Sequence, residues 1–326
     1  MKIGIIGERY NYISYSMLRE SIACKNVEIV WFVEAKLPTR KKEKLYGMTF
    51  DYGPIIVGLR KAVNFPNSLL SRTHIDCKIL CDSKNIPYIV PKNLSINTGL
   101  PDKMYWNPNA EYALIAGCDQ LLNENGLKIV KNKIINYHYA PLPAYRGKFV
   151  VFWQWYNREP YIGYSFHEVD LGVDSGKVIY QGKVDYNHDE PLHAVTRRVV
   201  LVSSEQLCKV YDCLANNTRV LLNENLQNSF FPSKKYLVLA TADRSKRVDE
   251  LLALFQRVGY FRLKNGLVIG KIIHSNYHCI TDYRIDNEGI IIPLADGYIK
   301  GTISSRIPFW VLKALLGKRK ILKGLS

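Results

Sequence analysis

Short apolar runs alternate with stretches of helical spacing over the first two thirds of the chain. Residues 2–7 (KIGIIG) form an apolar run closed by glycine, and a helical pattern follows through 16–22. Residues 27–33 (VEIVWFV) have the β-rich composition of a second buried strand. Beyond a basic loop, 80–86 continues helically, and 86–90 (IPYIV) predicts a third strand ending at Pro91. EYALIAG at 111–117 predicts a fourth strand and 134–138 a fifth. Strands that alternate with helices imply βαβ units: an α/β, Rossmann-like, mostly parallel sheet with helices on both faces. Ligands of such sheets bind beyond the carboxyl ends of the strands.

The pattern then changes. Residues 152–156 are aromatic and helical, 163–170 alternate like a strand, and 177–184 predict another. Apolar residues Val195, Val199, Val202, Leu207, Val210 and Leu214 recur at helical spacing and predict one long helix over 192–214. Residues 216–240 are rich in Asn, Ser and Lys and read as a linker. After it, a helix over 247–258 stops at Gly259, and short β runs at 260–264, 267–273, 290–294 and 298–303 are punctuated by Asn-Gly and Asp-Gly turns. The expected organisation is a catalytic domain over 1–215, the linker, a small C-terminal β-rich domain over 241–305, and a basic amphipathic terminal helix over 306–326.

Composition narrows the possibilities. The 326 residues are 47% hydrophobic and 23% charged, ordinary for a folded protein. The start lacks a signal-peptide pattern, and no apolar run is long enough for a spanning helix, so a cytoplasmic protein is expected. Seven cysteines are scattered without C-x-x-C spacing, which favours reduced thiols over disulfides, and no metal site is expected. The formal charge of +16 implies an anionic partner: nucleic acid, a membrane surface or a phosphorylated small molecule. The charge clusters in KLPTRKKEKL near residue 36 and in the terminal segment from Arg306. That terminal segment is either a docked helix with a solvated basic tail or an interfacial helix attracted to anionic lipid.

GIIG near the start is not a dinucleotide fingerprint, which argues against a nicotinamide dehydrogenase. Asn136 and His138 carry more chemistry. Two apart on a strand, their side chains point to the same side, and Pro141 and Pro143 stop the strand just after them. An amide N–H and an imidazole together suit oxyanion stabilisation and proton transfer. Taken alone, the pair reads as an Asn tying down a loop and a packed core histidine rather than as catalytic groups. A second segment, HEVDLGVDSG over 167–176, supplies His167, Asp170 and Asp174 between turn-forming glycines.

Together the two segments resemble the N10-formyltetrahydrofolate-dependent formyltransferases, most of all the sugar N-formyltransferases that act on nucleotide-linked amino sugars, which are related to methionyl-tRNA formyltransferase. The shared residues are Asn136, His138, Leu142, Pro143, Tyr145, Arg146 and Gly147, then Gly172, Val173, Asp174 and Gly176. The resemblance implies catalytic roles for Asn136, His138 and Asp174 and N10-formyltetrahydrofolate as formyl donor. It implies donor-binding positions at Cys118, Asp119, Gln120, Leu121, Leu122, His167, Val169, Asp170 and Val173, mostly through backbone. Ala140, Pro141 and Lys177 stand where the family commonly has Ser, Leu and an acidic residue.

The acceptor implied is the primary amine of a nucleotide-linked amino sugar in surface polysaccharide (lipopolysaccharide-type) synthesis. A methionyl-tRNA formyltransferase-like enzyme and a formyltetrahydrofolate hydrolase are the alternatives, so the partners considered are the small-molecule amine, tRNA, an anionic membrane surface and a second copy in a homodimer. The aromatics Phe149, Phe152, Trp153, Trp155 and Tyr156 are either core or a stacking platform for a base.

Overall fold

The first buried run forms β1 (Lys2–Gly7), and its neighbours build a seven-stranded sheet around it. The computed structural model describes residues 1–35, 75–91, 95–97, 110–118, 120–190, 192–223, 225–232, 239, 241–264 and 267–303. The basic cluster near residue 36 and the terminal segment 306–326 lie outside the described residues.

β1 pairs in parallel with β2 (Glu28–Glu34) on one side and β4 (Tyr112–Ala116) on the other. β3 (Tyr88–Ile89) adds to β2, and β5 (Lys133–His138) adds to β4, again in parallel. β7 (Ile162–Glu168) and β8 (Val178–Val184) complete the sheet in antiparallel sense, giving the order β3-β2-β1-β4-β5-β7-β8. The chain builds outward from β1 to β3 and then crosses to β4. The carboxyl ends of β1 and β4 therefore flank a switch point, where open α/β sheets bind ligands.

Side chains alternate along each strand. One face carries Ile6, Trp31, Val33, Ala113, Ile115 and Ile134, in a core that also takes in Ile96, Leu122 and Ile129. Helix α2 (Cys77–Ser83) precedes β3, and the short helix α3 (Glu124–Leu127) sends Leu127 against this core. Ile3, Ile5, Leu114 and Ile135 occupy alternate positions on β1, β4 and β5, which is the opposite face. There α1 (Tyr12–Ala23) packs on both α5 (Leu192–Ser204) and α6 (Leu207–Ala215). Ser21 and Tyr211 share a 2.6 Å hydrogen bond between α1 and α6, and Ser203 shares another, at 2.7 Å, with the Tyr137 hydroxyl of β5. The α/β fold expected from the alternation of elements is the observed one.

Two expectations change, and one open alternative is decided. The long helix over 192–214 is two helices, because the Ser203 and Ser204 hydroxyls bond back to the carbonyls of Val200 and Leu201 and end α5. Cys24 and Cys208 form a disulfide between the end of α1 and α6, although scattered cysteines read as reduced thiols. The two lie 184 residues apart, and only helix packing brings them together. Within the aromatic cluster, Phe152, Trp153 and Trp155 of α4 (Val150–Tyr156) are buried, so they are core and not a platform. Trp153 packs against Phe231, and the Trp155 indole donates to Glu190 O at 3.1 Å.

The described residues between 241 and 303 belong to a second compact unit. Its six-stranded sheet runs β10-β11-β12-β15-β14-β13, from β10 (Thr241–Ala242) through β11 (Phe261–Leu263), β12 (Val268–Asn276), β15 (Tyr298–Ile303) and β14 (Ile290–Pro293) to β13 (Arg284–Ile285). Helix α7 (Val248–Val258) has Asp249 and Glu250 in its first turn and Arg257 in its last, matching the helix dipole. It ends at Gly259, whose φ of 78° lies in the left-handed region. Lys300 is buried and held by Asp286 at 2.7 Å and by Glu288.

Among the described residues, no helix is long and apolar enough to cross a membrane.

Candidate active site

β5 brings Asn136 and His138 to the carboxyl end of the sheet, on the face that carries Ile134. Directly across the antiparallel ladder, Asn136 faces His167 and His138 faces Ser165. Same-face alternation thus collects an amide, two imidazoles and a hydroxyl into one patch. The loop after β7 adds Asp174.

The hydrogen bonds fix both ring tautomers. His167 Nδ1 lies 2.8 Å from Glu168 O, a backbone carbonyl that only accepts, so the proton sits on Nδ1. His167 Nε2 is then a lone pair, and it accepts from Asn136 Nδ2 at 3.1 Å. This orients the Asn136 carboxamide and leaves its second N–H to point elsewhere. His138 Nε2 donates to Tyr145 O at 2.9 Å, so its Nδ1 is the atom open to a proton. Asp174 Oδ1 stands 3.7 Å from both His138 Nδ1 and His167 Nε2. That is beyond direct hydrogen bonding but well within reach of strong electrostatic coupling in a partly buried site.

Burial pulls the affinity of His167 for a proton well below the ordinary imidazole range, and a proton on His138 would lower it further; Asp174 opposes both. A neutral His167 is what the Asn136 bond requires. The unfolded chain takes up a proton near the ordinary value of 6.5 while the native ring resists it. The contribution is thus intact above pH 6.5 and is lost as pH falls below it. Urea midpoints of the wild type are expected to fall between pH 7 and 5 more steeply than those of His167→Gln. Parallel curves would mean that the ring is not held neutral.

The two sequence segments are clasped to one another. Arg146 donates through Nε and Nη2 to Val173 O at 2.8 and 2.6 Å, and Gly147 N donates to Asp174 Oδ2 at 2.8 Å. Arg146 and Gly147 form β6, which pairs with β9 (Phe230–Phe231). Gly147 has a φ of 105°, and a Cβ there would meet Phe231 O at 2.4 Å, so glycine is required. Asp174 itself has a φ of 48°. An aspartate tolerates this conformation better than most residues.

The expected donor-binding positions fall into distinct settings. Cys118, Leu122 and Val169 turn their side chains into the core, and Val169 N donates to Ile134 O. Gln120 is buried and accepts from Ile96 N at 3.0 Å, whereas Leu121 is 67% exposed. Asp170 closes a local turn, accepting from Gly172 N and Ser175 Oγ. Val173 lends its carbonyl to Arg146. His167 bonds directly to Asn136. Asp119 lies outside the described residues. Sequence reasoning missed Ser165 and Gln181, buried polar residues in strands of apolar alternation; an isolated polar residue on the buried face of a strand was the available signal.

Residues 100–211 match the family model described as formyl transferase. The chain carries a formyl transferase domain. Asn136, His138 and Asp174 all lie inside it. The methionyl-tRNA formyltransferase of Finegoldia magna is 23% identical over 230 residues, covering 66% of this chain and 72% of that protein. Its counterpart from Alkaliphilus oremlandii is 26% identical over 212 residues, covering 64% and 67%. A solved N-formyltransferase from Helicobacter canadensis, in complex with folinic acid and dTDP-3-aminofucose, superposes with a TM-score of 0.54. Its identity to this chain is 16%, and the match covers 93% of this chain and 99% of that one. At that identity the likeness establishes the shared fold, which extends beyond the formyl transferase domain.

Proposed function

We propose that the protein transfers the formyl group of N10-formyltetrahydrofolate to the primary amine of a nucleotide-linked amino sugar, as in surface polysaccharide synthesis. The observation that carries the reading is the convergence of Asn136, His138, His167 and Asp174 on one patch, with both ring tautomers set by hydrogen bonds. When bound, the folate supplies an activated formyl carbon. The second N–H of Asn136 stabilises the negative charge that develops on the formyl oxygen as the amine adds. His138 Nδ1 takes the proton that the amine loses, and the Asp174 carboxylate offsets the resulting positive charge. The new C–N bond forms to the acceptor, the bond to the folate nitrogen breaks, and the proton returns to that nitrogen.

Several features support the donor side. Cys118, Leu122 and Val169 commit their side chains to the core, so recognition in these loops falls to backbone atoms and to the exposed Leu121. On the acceptor side, Phe230 is 52% exposed and its ring approaches Gly147, next to the Arg146–Val173 clasp. An exposed ring there suits stacking on a base. The solved N-formyltransferase with dTDP-3-aminofucose shares its fold with nearly the whole of this chain, which favours the sugar acceptor. The methionyl-tRNA reading rests on the curated relatives and on the net charge of +16.

An activity screen separates these readings. With N10-formyltetrahydrofolate as donor, turnover is expected with dTDP-linked 3- or 4-amino sugars and not with methionyl-tRNA. Turnover without any acceptor would make the protein a hydrolase instead.

A further inference from the structure

A cross-strand row of buried polar residues runs away from His138. The ladder registers pair His138 with Ser165 on β7 and Ser165 with Gln181 on β8. All three are buried: His138 is 5% exposed, Ser165 0% and Gln181 3%. Beyond His138 the chain turns back over this row in the bend 140–145, which contains a cis peptide at Leu142–Pro143. The row holds the bend at three backbone atoms. Ser165 Oγ accepts from Leu142 N at 3.0 Å and donates to Ala140 O at 2.6 Å. Gln181 Nε2 donates to Leu142 O at 2.6 Å and to Ser165 Oγ at 3.1 Å, while its Oε1 accepts from Leu222 N at 3.2 Å. The Gln181 carboxamide is thereby fully engaged, and each bond depends on its donor–acceptor sense.

The bend ends at Tyr145, whose carbonyl accepts the His138 Nε2–H at 2.9 Å. The placement of that carbonyl decides which nitrogen of His138 carries the proton. If it moves away, Nε2 loses its partner and the proton is free to sit on Nδ1, the atom that faces Asp174.

We infer that Gln181 and Ser165 are positioning residues: by bracing the bend that presents Tyr145 O, they hold His138 in the Nε2–H tautomer with Nδ1 open to accept a proton. This rests on the formyl-transfer reading for its catalytic consequence, but the tautomer itself does not. Gln181→Met keeps the side-chain length and removes the donor. Its kcat is expected to fall about 10- to 100-fold, the scale of a small misplacement of a reacting group, with the KM for the formyl donor changed less than about threefold. Gln181→Glu still accepts from Leu222 N, but as a carboxylate it cannot donate to Leu142 O. Its kcat relative to wild type is expected to rise as pH is lowered and the carboxyl group regains a proton.

Nitrogen-15 NMR of the histidine rings tests the inference apart from turnover. At alkaline pH, His138, assigned by its loss in His138→Gln, should show a single Nε2–H tautomer in the wild type. Gln181→Met and Ser165→Ala should show a mixture. Unchanged His138 signals in both variants, or a wild-type kcat in Gln181→Met, overturn the inference. A wild type without formyl transfer but with the expected shift of tautomer would sustain the positioning role and remove the reaction assigned above.

Discussion

Asn136→Asp lowers kcat by at least ~10²- to 10³-fold, the loss usual for removing one oxyanion donor. The substitution preserves size and shape, so its effect is electrostatic. It replaces the N–H that would meet the developing oxyanion with a negative oxygen. It also places a carboxylate against His167 Nε2, where the native structure has an amide donor at 3.1 Å. That carboxylate favours protonation of His167, a ring that burial otherwise keeps neutral. A second negative group would then stand beside Asp174 in the patch where charge develops. Asn136→Ala, which removes the donor without adding charge, is expected to retain more activity than Asn136→Asp. Steady-state kinetics with the best acceptor from the screen measures both. Turnover of Asn136→Asp within about threefold of wild type would remove Asn136 from the chemistry.

Asp174→Asn is the second large effect. One carboxylate oxygen accepts from Gly147 N at 2.8 Å, and the asparagine carbonyl can keep that bond. The clasp between the two loops therefore survives, and the melting temperature is expected to stay within a few degrees of wild type. The other oxygen lies 3.7 Å from His138 Nδ1 and from His167 Nε2, and its charge is lost. An imidazolium formed at His138 then has no counter-charge, and kcat is expected to fall by about 10²- to 10⁴-fold, the range typical of general acid–base assistance. Binding of the formyl donor, followed by fluorescence titration, should change by less than about threefold. A matching loss of donor affinity would instead place Asp174 in the binding of the folate.

Much of this was legible in the chain. Strand–helix alternation indicated the parallel sheet, because buried strands and amphipathic helices leave different periods of apolar residues. Asn136 and His138 could be put on one face by counting, since the strand period is two. Pro141 and Pro143 marked the end of their strand, and the glycines around Asp174 marked a turn. The break between α5 and α6 escaped because apolar spacing continues across it. The decisive signal was local: two serines whose hydroxyls return to their own backbone. The aromatic cluster was ambiguous because a buried Trp and a stacking Trp have the same sequence signature.

What the sequence determined by itself were properties with a local cause: strand and helix periods, the face shared by Asn136 and His138, and the turn at Asp174. What tertiary structure alone decided were relations between distant segments. The register of β5, β7 and β8 set His167 against Asn136 and put Ser165 and Gln181 in a row behind His138. Packing of α1 on α6 joined Cys24 to Cys208. Hydrogen bonds to backbone carbonyls of Tyr145 and Glu168 chose the proton-bearing nitrogen of each imidazole. Register, packing and tautomer depend on which atoms meet in space, and a one-residue slip of either strand would leave the composition and periodicity untouched while dispersing the site.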